Sequence, residues 1–341
     1  MTRICTSFTF LLLLIPSAPS AEPPRIGAAF DPAENISFPV CSAVIDITKP
    51  PYSAKGDGVA DDTAAIQRAL LDAMGNHRVV YLPNGTYKVT RPIRWANQDS
   101  KKKNAYGFNW VQGQSTAKTV LRLADNTFAD AAKPEPMMWC GGFGSADWFH
   151  NYVQNVTFHT GRGNPGAVGL QFYSNNTGGV RDVAVVSGDG SGVSGLDLGH
   201  RDMNGPLLVR NVSVTGFETG IRCAGSVNSQ TFERVTLTGQ TKFGFQNLGQ
   251  CVSVRGMTYH GPATAVDAGS FTALLDCSFA GTAAAKGLPA IKVGPAPFFA
   301  RAVATSGYES AVAHPDAGQS VSGPAVAEVA FGARLNPLTR R

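Results

Sequence analysis

Four acidic residues in the middle of the sequence could take part in acid–base chemistry: Asp189, Asp197, Asp202 and Glu218. Hydrolysis of a glycosidic bond uses two carboxyl groups, about 5–5.5 Å apart for retention of configuration and about 6.5–9.5 Å apart for inversion. Whether two of these groups meet depends on the elements that carry them.

The four acids lie within an internal repeat that runs from Asn155 to about Val312. Triplets of apolar, small and apolar residues begin at steps of 27, 29, 23, 22 and 20 residues, at Val156, Val183, Val212, Val235, Met257 and Cys277. A second apolar series, with steps of 26, 25, 24, 21 and 25, lies between them at Leu170, Leu196, Ile221, Phe245, Val266 and Ile291. Two interleaved series with a period of roughly 24 residues indicate one structural unit repeated along an axis.

The repeated unit has the pattern of short β-strands rather than of helices. Apolar and polar residues alternate within each unit, and Gly and Asn interrupt them. A propeller blade would need about 40 residues, and a leucine-rich repeat would need its Leu-rich consensus. The 38 glycines and the charged fraction of 16% suit a chain with many tight turns. The sequence therefore predicts an all-β solenoid of parallel strands, a β-helix.

Alternation along the strands predicts a row of polar side chains on one outer face. If the second apolar series points inward, each following residue points outward. Stacking then gives the polar row Gln171, Asp197, Arg222, Gln246, Asp267 and Lys292. This row is the predicted substrate groove, with Gln171, Arg222 and Gln246 as binding residues. The alternative is a ladder of surface ion pairs and amide contacts, in which Asp197 pairs with Arg222.

A catalytic pair must include residues of the turns. The two aspartates of the polar row lie three coils apart, about 14 Å at the spacing of stacked strands, which is too far. Asp189 and Glu218 each precede a strand of the row, on adjacent coils. Asp202 follows the strand of Asp197, and His200 beside it is a candidate for substrate binding. The alternative for Asp189 is a purely structural role in an Asp-Gly turn.

Residues 95–150 interrupt the repeat with an insertion rich in aromatic residues. It contains all four tryptophans, Trp95, Trp110, Trp139 and Trp148. Long irregular segments in compact domains are usually functional, and flat aromatic faces suit sugar rings. We therefore expect Trp148 and the nearby Tyr173 to contact a substrate. The alternative is that the rings pack the insertion onto the wall of the β-helix.

The N-terminal residues 1–21 are predicted to be a secretory signal peptide. Phe8 to Ile15 is an apolar run of about eight residues, whereas a membrane span needs about 20. Residues 22–50 are predicted to be an irregular, Pro-rich arm, and residues 51–341 a single domain. No later stretch predicts a membrane span. The net charge of +5, with one isolated lysine run, argues against a nucleic-acid partner, and we expect a secreted or periplasmic protein.

One short amphipathic helix is predicted before the first coil. Asp61, Asp62 and Thr63 can cap its start, and Gly75 can end it. Apolar residues recur between these limits at helical spacing: Ile66, Ala69, Leu70, Ala73 and Met74. Because the first coil of a solenoid exposes an apolar interior, this helix is predicted to cap it.

The segment around this helix carries a family resemblance. AKGDGVADDTAAIQ (54–67) followed by VVYLPNGTYKV (79–89) resembles the N-terminal signature of the pectate-lyase-like superfamily, which includes rhamnogalacturonase- or epimerase-like and glycoside-hydrolase-related proteins. The resemblance implies a right-handed parallel β-helix that engages polysaccharide. It carries over no catalytic residue, because it covers only the cap and the first coil.

Three functions follow from these observations: hydrolysis, elimination, and binding without catalysis. A lyase would need a cation, usually calcium with several carboxylate ligands, and a base such as Arg222 near Asp197 and Asp202. The carboxylates are too sparse to favour a lyase. We expect hydrolysis of a polysaccharide without a cofactor, since calcium would be needed only by a lyase. The alternative is a non-catalytic protein that binds polysaccharide or has a structural role at the cell surface.

The cysteines and the C-terminal end bear on assembly. Removal of the signal peptide would leave five cysteines, of which Cys223 and Cys277 fall at inward positions. Cys41 and Cys140 could pair. The repeats fade after Val312, and no cap is evident in the remaining sequence. Two kinds of partner are therefore considered, a polysaccharide and a second β-helix, which could be another copy of the chain.

Overall fold

A computed structural model describes residues 34–95, 108–140, 148–199, 203–225 and 229–332. The predicted signal peptide and the first part of the predicted arm lie outside these ranges. Within them the chain forms 25 strands, one α-helix and two short 3-10 turns. None of the helical segments in the described ranges has the length and apolar character that a membrane-spanning helix requires.

The N-terminal part contains the only α-helix of the described ranges and the strands of the first coils. Its elements are β1 (Val44–Asp46), β2 (Asp57–Asp61), α1 (Thr63–Ala73), β3 (Val79–Leu82), β4 (Gly85–Val89), β5 (Ile93–Trp95), β6 (Trp110–Gly113), β7 (Thr119–Leu123) and β8 (Glu135–Cys140).

The repeat region follows and consists of strands and turns. Its strands are β9 (Phe149–His159), β10 (Ala167–Gln171), β11 (Asn175–Val186), β12 (Ser194–Asp197), β13 (Leu207–Thr215), β14 (Thr219–Cys223), β15 (Ser229–Thr238), β16 (Phe243–Asn247), β17 (Cys251–Arg255), β18 (Thr258–Gly261), β19 (Thr264–Ala268), β20 (Thr272–Gly281), β21 (Pro289–Val293), β22 (Phe298–Ser306), β23 (Ser310–His314), β24 (Gln319–Val321) and β25 (Ala325–Phe331). The 3-10 turns are Ala283–Ala285 and Pro315–Ala317.

The strands form two long sheets that wind around one apolar core. The front sheet has ten strands in the order β24-β23-β21-β19-β16-β14-β12-β10-β8-β5. The back sheet contains the other 15 strands. Pairing is parallel except at β24 and β25, and parallel crossovers are right-handed. The predicted right-handed parallel β-helix is confirmed.

The registers of the strands confirm both repeat series. In the front sheet Leu170 pairs with Leu196, Leu196 with Ile221, and the stack continues through Phe245, Val266 and Ile291. All six side chains are fully buried. In the back sheet the triplets that begin at Val156, Val183, Val212 and Val235 stack in the same way. Each repeat is therefore one coil, and the apolar series form the core.

Each long strand of the back sheet bends at one residue with a left-handed backbone. The seven residues at this bend stack from coil to coil, with φ between 51° and 69°: Asn155, Asp182, Asn211, Arg234, Gly256, Asp276 and Ala302. We call this stack the corner ladder. Its polar side chains also bond to one another, since Asn211 donates to Asp182 Oδ1 at 2.9 Å and Arg234 Nε donates to Asn211 Oδ1 at 2.6 Å.

The corner ladder divides the back sheet into two inward faces. The triplets predicted from the sequence lie on one face. The other face carries a third buried stack that the sequence did not reveal as a separate series: Val153, Val180, Val209, Phe232, Val254, Leu274 and Ala300. Each coil is therefore a triangle of three short strands around the core.

The predicted N-terminal helix is present as α1, but its start differs from the prediction. Asp62 occupies the cap position without a capping hydrogen bond from its side chain. Its carboxylate instead accepts the N–H groups of Lys55 (2.6 Å) and Gly56 (3.0 Å), and Asp61 accepts the N–H of Thr63 at 3.0 Å. The apolar face of α1 joins the core next to β3, β4 and β5.

The described part of the predicted arm, from residue 34, is fixed to the back sheet. Glu34 accepts hydrogen bonds from Arg181 and Asn155, both at 3.0 Å. Ile36 forms two backbone contacts, donating to the carbonyl of Gln114 at 2.8 Å and accepting from the Tyr81 hydroxyl at 2.8 Å. The arm thus crosses several coils near the corner ladder.

The C-terminal end of the described chain corrects the expectation that the coils end without a cap. β24 pairs with β23 and β25 pairs with β22, and both pairings are antiparallel. Val326 of β25 is buried, and Phe331 lies 6.2 Å from Phe298 between ring centroids. The reversal of direction places two strands against the last coil, and they cover part of its apolar surface.

All five cysteines in the described ranges are free. Cys223 and Cys277 are buried, as predicted, and burial raises the pKa of the Cys277 thiol to about 12. Cys41 is exposed, whereas Cys140 is buried and its thiol contacts the carbonyl of Tyr173 at 3.2 Å. The Cys41–Cys140 pair considered from the sequence is therefore not formed.

Candidate functional site

The predicted polar row exists and follows the outer face of the front sheet. Each of its residues pairs in register with the next, from Gln171 to Lys292. The register also extends the row in the other direction, where Gln171 pairs with Trp139 and Trp139 pairs with Arg94. The row therefore begins with Arg94 and Trp139, which the sequence did not assign to it.

Asp197 is the most enclosed residue of the polar row, with 6% of its surface exposed. Gln171 Nε2 donates to its Oδ2 at 2.7 Å, and Arg222 Nη1 donates to its Oδ1 at 3.0 Å. The backbone N–H of Gly199 donates to Oδ1 at 2.9 Å. Three donors therefore converge on this carboxylate and fix its orientation on the outer face of the front sheet.

The second aspartate of the row has a similar but simpler environment. Gln246 Nε2 donates to Asp267 Oδ2 at 3.0 Å, and Lys292 is the next residue in register. The row thus contains the ion pair and the amide contacts that the sequence offered as an alternative to a groove. Gln171, Arg222 and Gln246 also keep part of their surface exposed, so they stay predicted binding residues.

Asp189 serves as a turn residue in the loop before β12. Its carboxylate accepts hydrogen bonds from the Ser191 hydroxyl at 2.6 Å and from the Gly163 N–H at 2.7 Å. The Ser191 hydroxyl, followed by the Gly163 N–H, lowers the pKa of Asp189 to about 2. A carboxyl group with this pKa is ionised at neutral pH and cannot act as a general acid. The structural role weighed for Asp189 explains its contacts.

Glu218 is exposed and forms an ion pair with Lys242, whose Nζ lies 2.6 Å from Oε2. Glu218 shares no hydrogen-bond or ion-pair partner with Asp189 or Asp197 in the described ranges. The structure therefore does not join these three predicted acids into one cluster. Asp202 and His200 lie outside the described residues.

The two aromatic residues predicted to bind substrate are buried, and this prediction was wrong. Trp148 and Tyr173 have no exposed surface and pack together in a small cluster beside Trp139. Trp95 is also buried, at 1% exposed. The prediction of an insertion is also corrected, because residues 110–140 supply β6, β7 and β8 to the two sheets and are part of the β-helix wall. Neither Trp148 nor Tyr173 can stack on a sugar.

Trp139 is the tryptophan of the insertion that reaches the polar row. It is partly exposed, and the Arg94 guanidinium lies 5.3 Å from its ring centroid. The sequence contains a signal for this position. Met138 and Trp139 repeat the inward and outward order of Leu170 and Gln171, and Cys140 follows as another inward residue. The irregular sequence around it obscures that signal, since the two regular series begin only after residue 155.

The low pKa of Asp189 predicts a pH-dependent contribution to stability. Because its folded pKa of about 2 lies below the ordinary value of 3.8 for an aspartate, Asp189 stabilises the folded state above pH 4. This contribution is lost as the pH falls towards 2. Asp189→Asn should be less stable than wild type at pH 6, and the difference should shrink between pH 4 and pH 2.

Urea denaturation at several pH values measures this difference in the free energy of unfolding. Asp316→Asn, which removes a carboxylate from the exposed 3-10 turn Pro315–Ala317, is the control and should be close to wild type in stability at pH 6. A constant difference between Asp189→Asn and wild type across this range would contradict the assignment.

A family model described as rhamnogalacturonase A/epimerase, pectate lyase-like, matches residues 50–288. The chain belongs to this family. The match includes α1 and most coils of the pectate-lyase-like β-helix, and it covers the polar row from Trp139 to Asp267.

Individual relatives of this pectate-lyase-like chain match over shorter lengths or at low identity. A glucan 1,3-beta-glucosidase of Cochliobolus carbonum is 31% identical over 146 residues, which are 41% of this chain and 16% of that protein. The chain thus spans about one sixth of the length of this relative.

Two solved structures are similar to this chain at low sequence identity. The iota-carrageenase of family GH82 from A. fortis is 12% identical with a TM-score of 0.49, over 78% of this chain and 58% of that chain. Tailspike protein 2 of the Escherichia coli O157:H7 bacteriophage CAB120 is 12% identical with a TM-score of 0.48, over 83% of this chain and 40% of that chain.

Proposed function

We propose that this chain is an exported carbohydrate-active protein that binds a polysaccharide along the polar row and hydrolyses its glycosidic bonds there. The observation that carries the proposal is the continuous outer row Arg94, Trp139, Gln171, Asp197 and Arg222. Five stacked positions span about 19 Å, which accommodates several sugar units. An aromatic face followed by hydrogen-bonding groups is the usual composition of a sugar site.

Each group of the row has a role in this proposal. The partly exposed face of Trp139 stacks on the C–H face of a sugar ring, while Gln171 and Arg222 donate to hydroxyl groups. Asp197, held by its three donors, stabilises the positive charge that develops on the sugar in the transition state. We assign the proton donor to Asp202 from its place in the sequence, five residues after Asp197.

Hydrolysis is favoured over elimination by the relative at 31% identity, whose name is that of a glucosidase. A polysaccharide substrate outside the cell also agrees with the predicted signal peptide. A lyase would form an unsaturated product that absorbs ultraviolet light, and a chelator would abolish that product if calcium were required. The two activities are therefore separable in one assay.

Binding without hydrolysis is the second candidate function. One observation favours it: Asp189, Asp197 and Glu218 are each held by their own protein donors. In this alternative the row would be a binding surface, and Asp197 would only orient Gln171 and Arg222. The proposal and the alternative both require Trp139 to contact sugar.

The test is the release of reducing sugar from a panel of neutral and acidic polysaccharides, measured alongside binding to the same polymers. Hydrolysis predicts new reducing ends whose formation depends on Asp202. Binding without new reducing ends would establish the alternative. Neither binding nor cleavage of any polymer would overturn both.

Trp139→Ala should weaken binding to the preferred polysaccharide about tenfold, because exposed aromatic anchors carry much of the energy of an interface. The expected change is in the KM for hydrolysis or in the Kd for binding. Leu71→Ala, on the exposed face of α1, is the control and should leave both unchanged. Unchanged affinity in Trp139→Ala would remove the polar row from the proposal.

A further inference from the structure

A second aromatic surface lies on the back sheet, away from the polar row. Its residues form two columns over the first three coils. Val79, Trp110 and Tyr152 pair in register along one column. Two positions before each of them stands a residue of the other column: His77, Phe108 and His150. We call these six residues the aromatic cleft.

The rings of the aromatic cleft contact one another but remain open on one side. Ring centroids are 4.3 Å apart for His77 and Phe108, 4.7 Å for Phe108 and His150, and 5.6 Å for Trp110 and Tyr152. Phe108 is 42% exposed and Trp110 is 37% exposed. Trp95 and Trp148, from the same insertion, are at most 1% exposed. The exposure of Trp110 is therefore not a general property of the insertion.

The backbone holds the outer column in an uncommon conformation. His77, Phe108 and His150 all have positive φ, at 52°, 57° and 58°. Such a conformation is uncommon for a bulky side chain. Because His77, Phe108 and His150 share this conformation on three successive coils, their rings stack along one side of the cleft.

The cleft has the size and chemistry of a site for one sugar unit. Its volume is about 240 Å³, somewhat below the roughly 300–1,000 Å³ of sites for drug-sized ligands. The rings of Phe108, Trp110 and Tyr152 line it together with the imidazoles of His77 and His150. Arg78 also lines it, with its Nε bonded to the carbonyl of Ser42 at 2.8 Å. None of the described residues that line the cleft is acidic.

The neighbouring coil does not cover the Tyr152 side of the aromatic cleft. Tyr152 pairs with Gly179, which has no side chain to cover the tyrosine ring. The next residue in register is Leu208, which is exposed. A pyranose ring placed on Trp110 and Tyr152 would present its C–H face to both rings, with its hydroxyl groups directed towards the histidines and Arg78.

We propose that the aromatic cleft is a second saccharide-binding site that holds a pyranose unit of a polysaccharide on the back sheet. It is separate from the polar row, which lies on the front sheet, and it does not depend on hydrolysis taking place there. Its role is to keep the protein attached to a polymer while another part of that polymer, or another chain, reaches the front sheet.

Calorimetric titration tests this proposal with two probes, a linear hexasaccharide of β-1,3-linked glucose and a hexamer of galacturonate. The two probes distinguish a neutral sugar from an acidic sugar. Both sugars have the C–H face that the cleft is proposed to recognise. Trp110→Ala should weaken binding of at least one probe at this site about tenfold. Trp139→Ala should leave that component of the titration unchanged, and the double variant should lose both components.

Leu208→Ala is the matched control, because Leu208 is also 37% exposed and lies on the same sheet. It should bind like wild type, and circular dichroism should show the same fold in all variants. If Trp110→Ala bound both probes as wild type does, the proposal of a second site would be overturned. Loss of hydrolysis in Asp197 variants leaves this result unchanged, so the two proposals fail separately.

Discussion

Asp197→Asn is expected to lower the rate of polysaccharide hydrolysis by about 100-fold or more. Removal of one preorganised group that stabilises transition-state charge typically costs on the order of 10²–10³ in kcat. The substitution keeps the shape of the side chain and one acceptor for the Gly199 N–H. It removes the negative charge that faces Arg222 at 3.0 Å. The measurement is kcat for reducing-sugar release on the preferred polymer.

Asp267→Asn is the matched control for this experiment. Asp267 belongs to the same row, accepts a similar amide hydrogen bond from Gln246 and lies three coils away. Its replacement should change kcat by less than about threefold, since distant independent sites act separately. If both variants retained wild-type kcat, the charge of Asp197 would have no part in catalysis. If Asp197→Asn were partly unfolded at the assay temperature, the loss of kcat would reflect folding and not catalysis.

Phe245→Ala is expected to reduce the free energy of unfolding by about 3–5 kcal/mol, the usual range for removal of a buried phenylalanine. Phe245 is fully buried at an inward position of the front sheet. Its ring meets Phe232 of the back sheet at 4.9 Å and 87°. The truncation therefore removes a contact that joins two faces of the triangular coil, and guanidinium denaturation can measure its cost.

Leu248→Ala provides the comparison, because Leu248 is on the adjacent turn and is 48% exposed. Its effect should stay within about 0.5 kcal/mol. If both variants lost a similar free energy of unfolding, the stability of the coils would not depend on the core contact between Phe245 and Phe232. In a solenoid each coil contacts only its neighbours, so the coils next to Phe245 should also lose protection from hydrogen exchange.

The fold could be predicted from the sequence because its inward residues recur at nearly constant spacing. Leu170, Leu196 and Ile221 occupy equivalent positions in consecutive coils, and their pairing in register follows from that spacing. The third inward face could not be separated in the same way. Asn155 stands between Val153 and Val156 and shifts the alternation by one residue, so two strands look like one continuous stretch.

The candidate site was predictable only where it depends on alternation. The outward position of Asp197 and its neighbours follows from the inward position of Leu196, since successive strand residues face opposite ways. The same rule places Trp139 of β8 outward, but it cannot place Trp148, which precedes β9 and lies in no strand. Trp148 and Trp139 are both tryptophans of residues 95–150, yet packing buries the first and leaves the second at the row. Composition alone could not distinguish them.

The corner ladder has a consequence for how such a protein can change over time. Each coil uses one residue for this bend. The differences in repeat length, from 20 to 29 residues in the triplet series, therefore arise in the two turns that border the front sheet. Those turns can lengthen, shorten or be exchanged without moving the register of the coils. The fold thus separates an invariant frame from two variable borders, and new specificities can be grafted onto the borders of an unchanged core.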